Sequence, residues 1–230
     1  MSSSDPSAAL VLDFDGTVCI GDDPVHFYAE EVAARHPAAA DVPDQVRQFL
    51  AGRLPVERAA DGYQAVHRLS QAAGVSREQF VAAYLASRER LEAGEGDTRA
   101  PHGLTALLEE LRAARVRIVL VTNSPRIGIE RWLTSQDLDH RFDEVVTEAG
   151  KPQGMPAILA RIADEARLAR PVTLGSIGDV WANDVSPAMD RGGTGFFIDR
   201  FDRRDGPSSH TGATFEDLLP ALRGWAGSLS

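Results

Sequence analysis

The chain has few of the residues and segments that several protein classes require. Its 230 residues include one cysteine, Cys19, which excludes an internal disulfide, a CxxC redox pair and a cysteine-based zinc cluster. It has no apolar run that approaches the length of a membrane-spanning helix, and residues 1–7 are polar, without the regions of a secretory leader. We therefore expect a soluble, cytoplasmic protein with no membrane partner.

Basic residues are scarce relative to acidic ones. Lys and Arg total 24 against 34 Asp and Glu, which gives a formal net charge of −10 at pH 7. Binding to a nucleic-acid backbone requires clustered cations that neutralise phosphates. The composition therefore argues against nucleic acid as a partner, and it leaves the choice between monomer and homodimer open.

Apolar runs and helical patterns alternate along much of the chain. Residues 8–12, 116–121 and 172–177 are apolar runs that each end at polar residues, and residues 196–198 form a shorter one. Leucine and isoleucine recur at helical spacing between these runs, and residues 214–225 form a closing helix. Buried strands that alternate with helices are typical of an α/β fold. We predict a Rossmann-like parallel sheet flanked by helices.

Residues 24–94 have a different pattern, with helical periodicity and no convincing strand. We predict helices over residues 57–73 and 76–93, the second beginning with a capping box of Ser76 and Gln79. An insertion of this size is large enough to form a small domain of its own. The predicted division is a Rossmann-like core of residues 1–18 and 101–230 and an inserted all-helical domain of residues 19–100.

The first apolar run ends in the sequence DFDGT, residues 13–17. Asp13 and Asp15 are two residues apart, so on an extended strand both carboxylates point to one face. Carboxylates this close repel each other unless a cation lies between them. A turn at Gly16 would let backbone amides surround a bound anion, although Asp-Gly alone is also common in ordinary turns.

Polar residues recur after the later runs and in one loop. Thr122 can donate its hydroxyl proton to a phosphate oxygen, and Asn123 can donate its backbone amide. The ammonium of Lys151 can neutralise a phosphoryl group or a carboxylate nucleophile. Asp179 and Asp184 offer the oxygen ligands that magnesium prefers. Taken singly, these residues also fit a helix cap, a solvated lysine and an acidic helix N-terminus.

Taken together and in this order, the motifs resemble those of the haloacid dehalogenase superfamily, and in particular its helical-capped phosphatases. The resemblance covers residues 8 to about 200. The first and fourth motifs are the specific ones. The four matching motifs are residues 13–17, residues 121–124, residues 151–152, and residues 178–179 with 183–184.

The resemblance implies a phosphoric monoester hydrolase that acts on a small phosphorylated metabolite. By that resemblance Asp13 attacks phosphorus and forms an aspartyl-phosphate, and Asp15 acts first as general acid and then as general base. Thr122 and Lys151 would hold the phosphoryl oxygens. The predicted catalytic residues are Asp13, Asp15, Thr122 and Lys151, and the predicted substrate-binding residues are Thr122, Asn123, Lys151 and Arg126.

The resemblance also implies Mg²⁺ as the cofactor. The predicted ligands are the Asp13 and Asp179 carboxylates and the backbone carbonyl of Asp15, with Asp184 close by or acting through water. This set contains only oxygen atoms, which suits a hard cation.

The helical insert resembles the cap of this family, which closes over the mouth of the site and excludes water. Its position before the second motif supports that assignment. A capped site favours a small diffusible substrate. The chain departs from the pattern at residues 18–23, where many such phosphatases have Asp-Ser shortly after the Gly-Thr of the first motif. The departure affects the expected substrate class more than the expected chemistry.

The sequence bears differently on four functions other than a phosphatase. Asp15 argues against a dehalogenase, which needs neither a metal nor an acid at this position. A phosphonate hydrolase would need a lysine in the cap, and the sequence has none between residues 18 and 96. A sugar phosphomutase with the same core stays open, as does a non-catalytic binding module that kept the fold.

Overall fold

The computed structural model describes Pro6 and residues 8–229, and in this part of the chain it contains one six-stranded sheet. The strand order is β3-β2-β1-β4-β5-β6, and every neighbouring pair is parallel. The strands are β1 (Ala8–Leu12), β2 (Val116–Val121), β3 (Glu144–Val146), β4 (Leu174–Gly178), β5 (Thr194–Ile198) and β6 (His210–Gly212).

Nine α-helices accompany the sheet in the described residues, and four of them follow β1 before the core resumes at α5. Parallel strands connected by helices confirm the predicted Rossmann-like α/β fold with a helical insert. None of these helices combines the length and the apolar composition needed to cross a membrane. The helices are α1 (Asp23–Arg35), α2 (Val42–Leu50), α3 (Gly62–Ala72), α4 (Arg77–Glu92), α5 (Leu104–Ala113), α6 (Ile129–Ser135), α7 (Met155–Glu165), α8 (Ser186–Met189) and α9 (Phe215–Gly227).

The central strand β1 is buried along its whole length, as a parallel strand covered on both faces must be. It pairs with β2 on one side and with β4 on the other, and Leu12 lies opposite both Leu120 and Ile177. One face of this sheet packs against α7, where Leu159 and Ile162 are fully buried. Burying such a side chain stabilises the folded state by about 1.5–3 kcal/mol. The register aligns the carboxyl ends of the three strands.

Some elements differ from the sequence prediction. The short outer strands β3 and β6 were not predicted, because three partly exposed residues give no recognisable apolar run. The predicted helix over residues 57–73 begins only at Gly62, since Asp61 caps it by accepting a 2.6 Å hydrogen bond from the amide of Gln64. The capping box of α4 formed by Ser76 is present as predicted.

The chain divides into two compact units. The core unit runs up to Ile20 and includes Ala100–Pro125 and Gln136 onward, and it contains the sheet. The helical unit comprises Gly21–Arg99 and Arg126–Ser135, so it contains α1–α4 together with α6. An aromatic cluster lies within it, where Tyr28 contacts Phe80 and Tyr84 with ring centroids 5.4 and 5.2 Å apart. The sequence prediction had assigned residues 126–135 to the core.

Candidate active site

Polar side chains gather where the three central strands end. Asp13 directly follows β1, Thr122 follows β2, and Asp179 follows β4. The amide of Asp13 donates to the carbonyl of Ile177 at 3.0 Å, which ties the end of β1 to the end of β4. The carboxyl ends of parallel strands are where open α/β sheets place their ligands.

Lys151 connects the strand ends, and it is the only lysine among the 230 residues. Its Nζ donates to Asp13 Oδ1 at 2.6 Å, to Asp184 Oδ1 at 2.7 Å and to the carbonyl of Val121 at 2.8 Å. An ammonium group has three protons, so each proton has an acceptor. The side chain is 2% exposed, and these bonds hold its charge in one place.

Burial sets the electrostatics of these groups. It raises the pKa of the Asp13 carboxyl group to about 7, although the Lys151 ammonium opposes the rise. It also raises the pKa of Asp184, which is 1% exposed. Burial alone would lower the pKa of Lys151, but the carboxylates of Asp13 and Asp184 outweigh it and raise that pKa. One buried ammonium therefore serves two buried carboxylates, and a further cation would stabilise their charged forms.

Three carboxylates form a cluster that fits a divalent cation. Oxygen atoms of Asp13, Asp179 and Asp184 lie within 4.8 Å of one another. With Lys151, these groups sum to a formal charge of −2 when the acids are ionised, which one divalent ion would offset. Oxygen donors of this kind suit the hard cation Mg²⁺. The side chain of Asp15 is not in the cluster, and its predicted carbonyl ligation stays a prediction.

Two glycines leave room for these carboxylates. A Cβ atom at Gly178 would lie 2.3 Å from Oδ2 of Asp184, and one at Gly16 would lie 2.2 Å from Oδ2 of Asp179. Gly16 also has φ +82°, a conformation that side chains disfavour. Substituting either glycine would therefore displace a carboxylate of the cluster.

Asn123 supports Lys151 through its side chain. Its Oδ1 accepts from the backbone amide of Lys151 at 2.7 Å, and its Nδ2 donates to the carbonyl of the same residue at 3.0 Å. The sequence predicted that Asn123 binds substrate through its backbone amide, which stays a prediction. The structure adds a second role, because the carboxamide fixes the loop that carries the ammonium.

Ser124 is a site residue that the sequence prediction did not assign a role. Its hydroxyl donates to Oδ2 of Asp15 at 2.7 Å, across 109 positions of sequence. Thr122 is 2% exposed, and its hydroxyl oxygen accepts from the amide of Ser124 at 3.1 Å. That contact uses a lone pair of Thr122, so it does not consume the hydroxyl proton predicted to hold a phosphoryl oxygen. The turn after β2 thus contacts both Lys151 and Asp15.

Arg126 lies in the segment that belongs to the helical unit. Its guanidinium pairs with the carboxylate of Glu130, one turn further along. The remaining predicted site residues, from Asp13 to Asp184, all lie in the core unit.

A protein-family model described as haloacid dehalogenase-like hydrolase matches residues 8–187 of the chain. The matched region extends from β1 into α8, and it includes Asp13, Asp179 and Asp184. We found no significant sequence match among curated proteins.

Solved structures with the same fold include hydrolases of more than one kind. A predicted phosphoglycolate phosphatase from Haemophilus somnus 129pt is 18% identical, with a TM-score of 0.62 and coverage of 93% of this chain and 97% of that one. The HAD-hydrolase YfnB from Bacillus subtilis, bound to magnesium, is 14% identical, with a TM-score of 0.61 and coverage of 94% and 99%. The L-2-haloacid dehalogenase RSc1362 is 17% identical, with a TM-score of 0.57 and coverage of 95% and 99%.

Proposed function

The chain belongs to the haloacid dehalogenase-like hydrolases, and we propose that it is a magnesium-dependent phosphatase that forms an aspartyl-phosphate on Asp13. The observation that carries the proposal is the cluster of Asp13, Asp179 and Asp184, of which Asp13 and Asp184 contact the Lys151 ammonium. Phosphoryl transfer depends on positioning and on cations directed at the phosphoryl oxygens, and this arrangement supplies both. The small-metabolite part of the proposal rests on the resemblance of the helical insert to a cap.

The first half-reaction transfers the phosphoryl group to Asp13. A carboxylate oxygen of Asp13 forms a bond to phosphorus while the bond from phosphorus to the ester oxygen breaks. Asp15 gives its proton to that departing oxygen, so that an alcohol leaves instead of an alkoxide. Displacement of a halide needs no such proton, and the carboxyl group of Asp15 therefore supports a phosphatase over a dehalogenase.

The second half-reaction regenerates the enzyme. Asp15, now a carboxylate, takes a proton from water while the water oxygen attacks phosphorus. The bond between phosphorus and Asp13 breaks, and inorganic phosphate leaves. One carboxyl group thus serves as acid and then as base, and it ends the cycle in its starting form.

The remaining residues of the site stabilise negative charge and position the reacting groups in both half-reactions. Thr122 donates to a phosphoryl oxygen, and the Lys151 ammonium offsets the negative charge of Asp13 as the anionic substrate approaches. Lys151 donates to a phosphoryl oxygen as well once the substrate replaces one of its three acceptors. Asp13, Asp179 and Asp184 would hold Mg²⁺, which when bound supplies positive charge to the phosphoryl oxygens. Asn123 keeps Lys151 in place through the two bonds to its backbone.

The proposal is tested by measuring inorganic phosphate released from a panel of phosphate esters that includes phosphoglycolate, sugar phosphates and nucleotides. The assay is run with Mg²⁺ and with chelator, for the wild type and for Asp15→Ala. We expect release that needs Mg²⁺ and that disappears in Asp15→Ala. Halide release from 2-haloacids without any phosphate release would replace the phosphatase with a dehalogenase. An isomerised sugar phosphate without free phosphate would replace it with a mutase.

A further inference from the structure

Ser124 is buried beside the predicted acid-base residue. Its Oγ donates to Oδ2 of Asp15 at 2.7 Å, a short hydrogen bond to a carboxyl oxygen. Ser124 is 3% exposed, so water has little access to replace this donor. Both residues lie in the core unit. The contact joins the turn after β2 to the turn after β1.

Two hydrogen bonds and a following proline constrain the backbone of Ser124. Its amide donates to the hydroxyl oxygen of Thr122 at 3.1 Å, and its carbonyl accepts from the amide of Glu148 at 3.0 Å. Pro125 follows and fixes its own backbone φ angle. The hydroxyl therefore projects from a constrained turn, and it restricts the rotation of the Asp15 carboxyl group.

Orientation matters for the step assigned to Asp15. A general acid contributes about 10²–10⁴-fold to rate only when it lies within hydrogen-bond reach of the oxygen that receives the proton. A carboxyl group on a short side chain rotates freely about two bonds unless a neighbour holds it. Asp15 follows the buried strand β1 in a hydrogen-bonded turn, and its side chain is only partly buried.

We propose that Ser124 is a positioning residue for the proposed phosphatase: its hydroxyl holds the Asp15 carboxyl group in the orientation that protonates the leaving oxygen. This inference rests on the proposed function and goes beyond it by naming a residue that acts through Asp15. It predicts that removing the Ser124 hydroxyl slows the reaction by a factor that depends on the leaving group. An alkoxide requires protonation, whereas 4-nitrophenolate is stable enough to leave without it.

The test measures kcat/KM for Ser124→Ala with two substrates, the fastest alkyl phosphate of the panel and 4-nitrophenyl phosphate. This parameter reports the first half-reaction, because hydrolysis of the aspartyl-phosphate, which also uses Asp15, follows the departure of the leaving group. We expect kcat/KM to fall by about 10–100-fold with the alkyl ester and by less than about threefold with 4-nitrophenyl phosphate. The ratio of the two kcat/KM values does not depend on the fraction of folded protein.

Three further variants complete the test. Ser124→Thr keeps the hydroxyl and should restore most of the alkyl-ester rate. Ser124→Cys keeps a weak donor, and it takes the place of the alanine variant if that protein does not fold. Ser176→Ala is the matched control, because Ser176 is a fully buried core serine whose Oγ has no hydrogen-bond partner among the described residues. It should keep the wild-type ratio.

The outcomes separate the inference from the proposed function. Equal losses of kcat/KM with both esters would show that Ser124 acts on the phosphoryl group and not through protonation by Asp15, and would overturn the inference. An unchanged alkyl-ester rate in Ser124→Ala would overturn it as well. Absence of phosphate release by the wild type would instead remove the proposed function itself.

Discussion

The ammonium of Lys151 lies 2.6 Å from Oδ1 of Asp13, and both side chains are at least nine-tenths buried. The same nitrogen contacts Oδ1 of Asp184 at 2.7 Å, so a single cation compensates two carboxylates that water cannot solvate. Because it is the only lysine of the chain, no other ammonium side chain can take over this task.

Replacing Lys151 with Met leaves Asp13 and Asp184 as neighbouring buried acids. Removing one partner of a buried ion pair costs about 3–5 kcal/mol, so we expect the free energy of unfolding in chelator to fall by that amount. Mg²⁺ at about 100 times its Kd should recover about 2.7 kcal/mol, because it binds the folded state. Urea unfolding with and without Mg²⁺ measures both changes.

Arg161→Met is the control for that comparison. Arg161 is 40% exposed and pairs with Glu144 on the surface, so its loss should cost less than about 1 kcal/mol. A Lys151→Met protein as stable in chelator as the wild type would contradict the assigned role of the ammonium.

Magnesium affinity should depend on pH between 6 and 8. Burial raises the pKa of Asp13 from 3.8 to about 7, and Mg²⁺ binds only the ionised form. We expect the apparent affinity to fall about tenfold from pH 8 to pH 6, as this carboxyl group takes up its proton. Calorimetric titration measures the change, and Asp13→Asn should lose it. An affinity independent of pH would contradict the elevated pKa.

The same shift predicts the sign of a stability change without metal. Between pH 3.8 and about 7, the folded protein keeps a proton on Asp13 that the unfolded chain has lost. The contribution of this group to stability is therefore largest below pH 3.8 and decreases as pH rises through that window. Relative to Asp13→Asn, the wild type should lose unfolding free energy as pH rises through this window, and urea unfolding of both proteins in chelator measures the change. A wild type that gains stability relative to Asp13→Asn over the same window would contradict the prediction.

Gly16→Ala should weaken the cation site specifically. Its Cβ atom would lie 2.2 Å from Asp179, and its φ of +82° adds about 1–2 kcal/mol of backbone strain. Gly74→Ala is the matched control, with φ +83° and no atom within 4 Å of the added Cβ. We expect about a tenfold or greater loss of magnesium affinity for Gly16→Ala alone, with similar stability losses in both variants. Equal magnesium affinity in both would refute this account of Asp179.

Asn123→Ala removes both hydrogen bonds to the backbone of Lys151. A misplacement of about 1 Å at a catalytic group can cost about 100-fold, and we expect kcat to fall by about 10–100-fold. Asn123→Asp keeps the acceptor for the Lys151 amide and loses the donor to the Lys151 carbonyl. Its kcat should therefore lie between those of the wild type and Asn123→Ala. Steady-state kinetics on the best ester checks this order. A kcat for Asn123→Ala within about twofold of the wild type would show that the clamp is dispensable.

The core of the fold was predictable because its strands are buried on both faces. β1 appears in the sequence as an uninterrupted apolar run and β2 as an apolar run that only Arg117 interrupts, and the polar residue that follows each run marks the edge of the sheet. The outer strands β3 and β6 are short and partly exposed, so nothing in their composition distinguishes them from loops. The apolar runs of the sequence therefore predicted the central strands of the sheet but not its two edge strands.

The site was predictable to the same extent. The strand order brings Asp13, Thr122 and Asp179 to one edge, and this follows from parallel pairing alone. The contact between Ser124 and Asp15 depends on the side-chain rotamers of two turns far apart in sequence, for which the sequence carries no signal. The carboxamide of Asn123 on the Lys151 backbone is hidden for the same reason.

The most direct test of the central claim is detection of the phosphoryl group on Asp13. Asp15→Asn is mixed with 4-nitrophenyl phosphate and Mg²⁺, quenched in acid, and its peptides are analysed by mass spectrometry. Because this ester needs no acid to leave, whereas hydrolysis of the intermediate needs the missing base, we predict a burst of about one nitrophenolate per enzyme and a phosphorylated Asp13. Phosphate release by the wild type, with neither a burst nor a phosphorylated Asp13 in Asp15→Asn, would contradict the account.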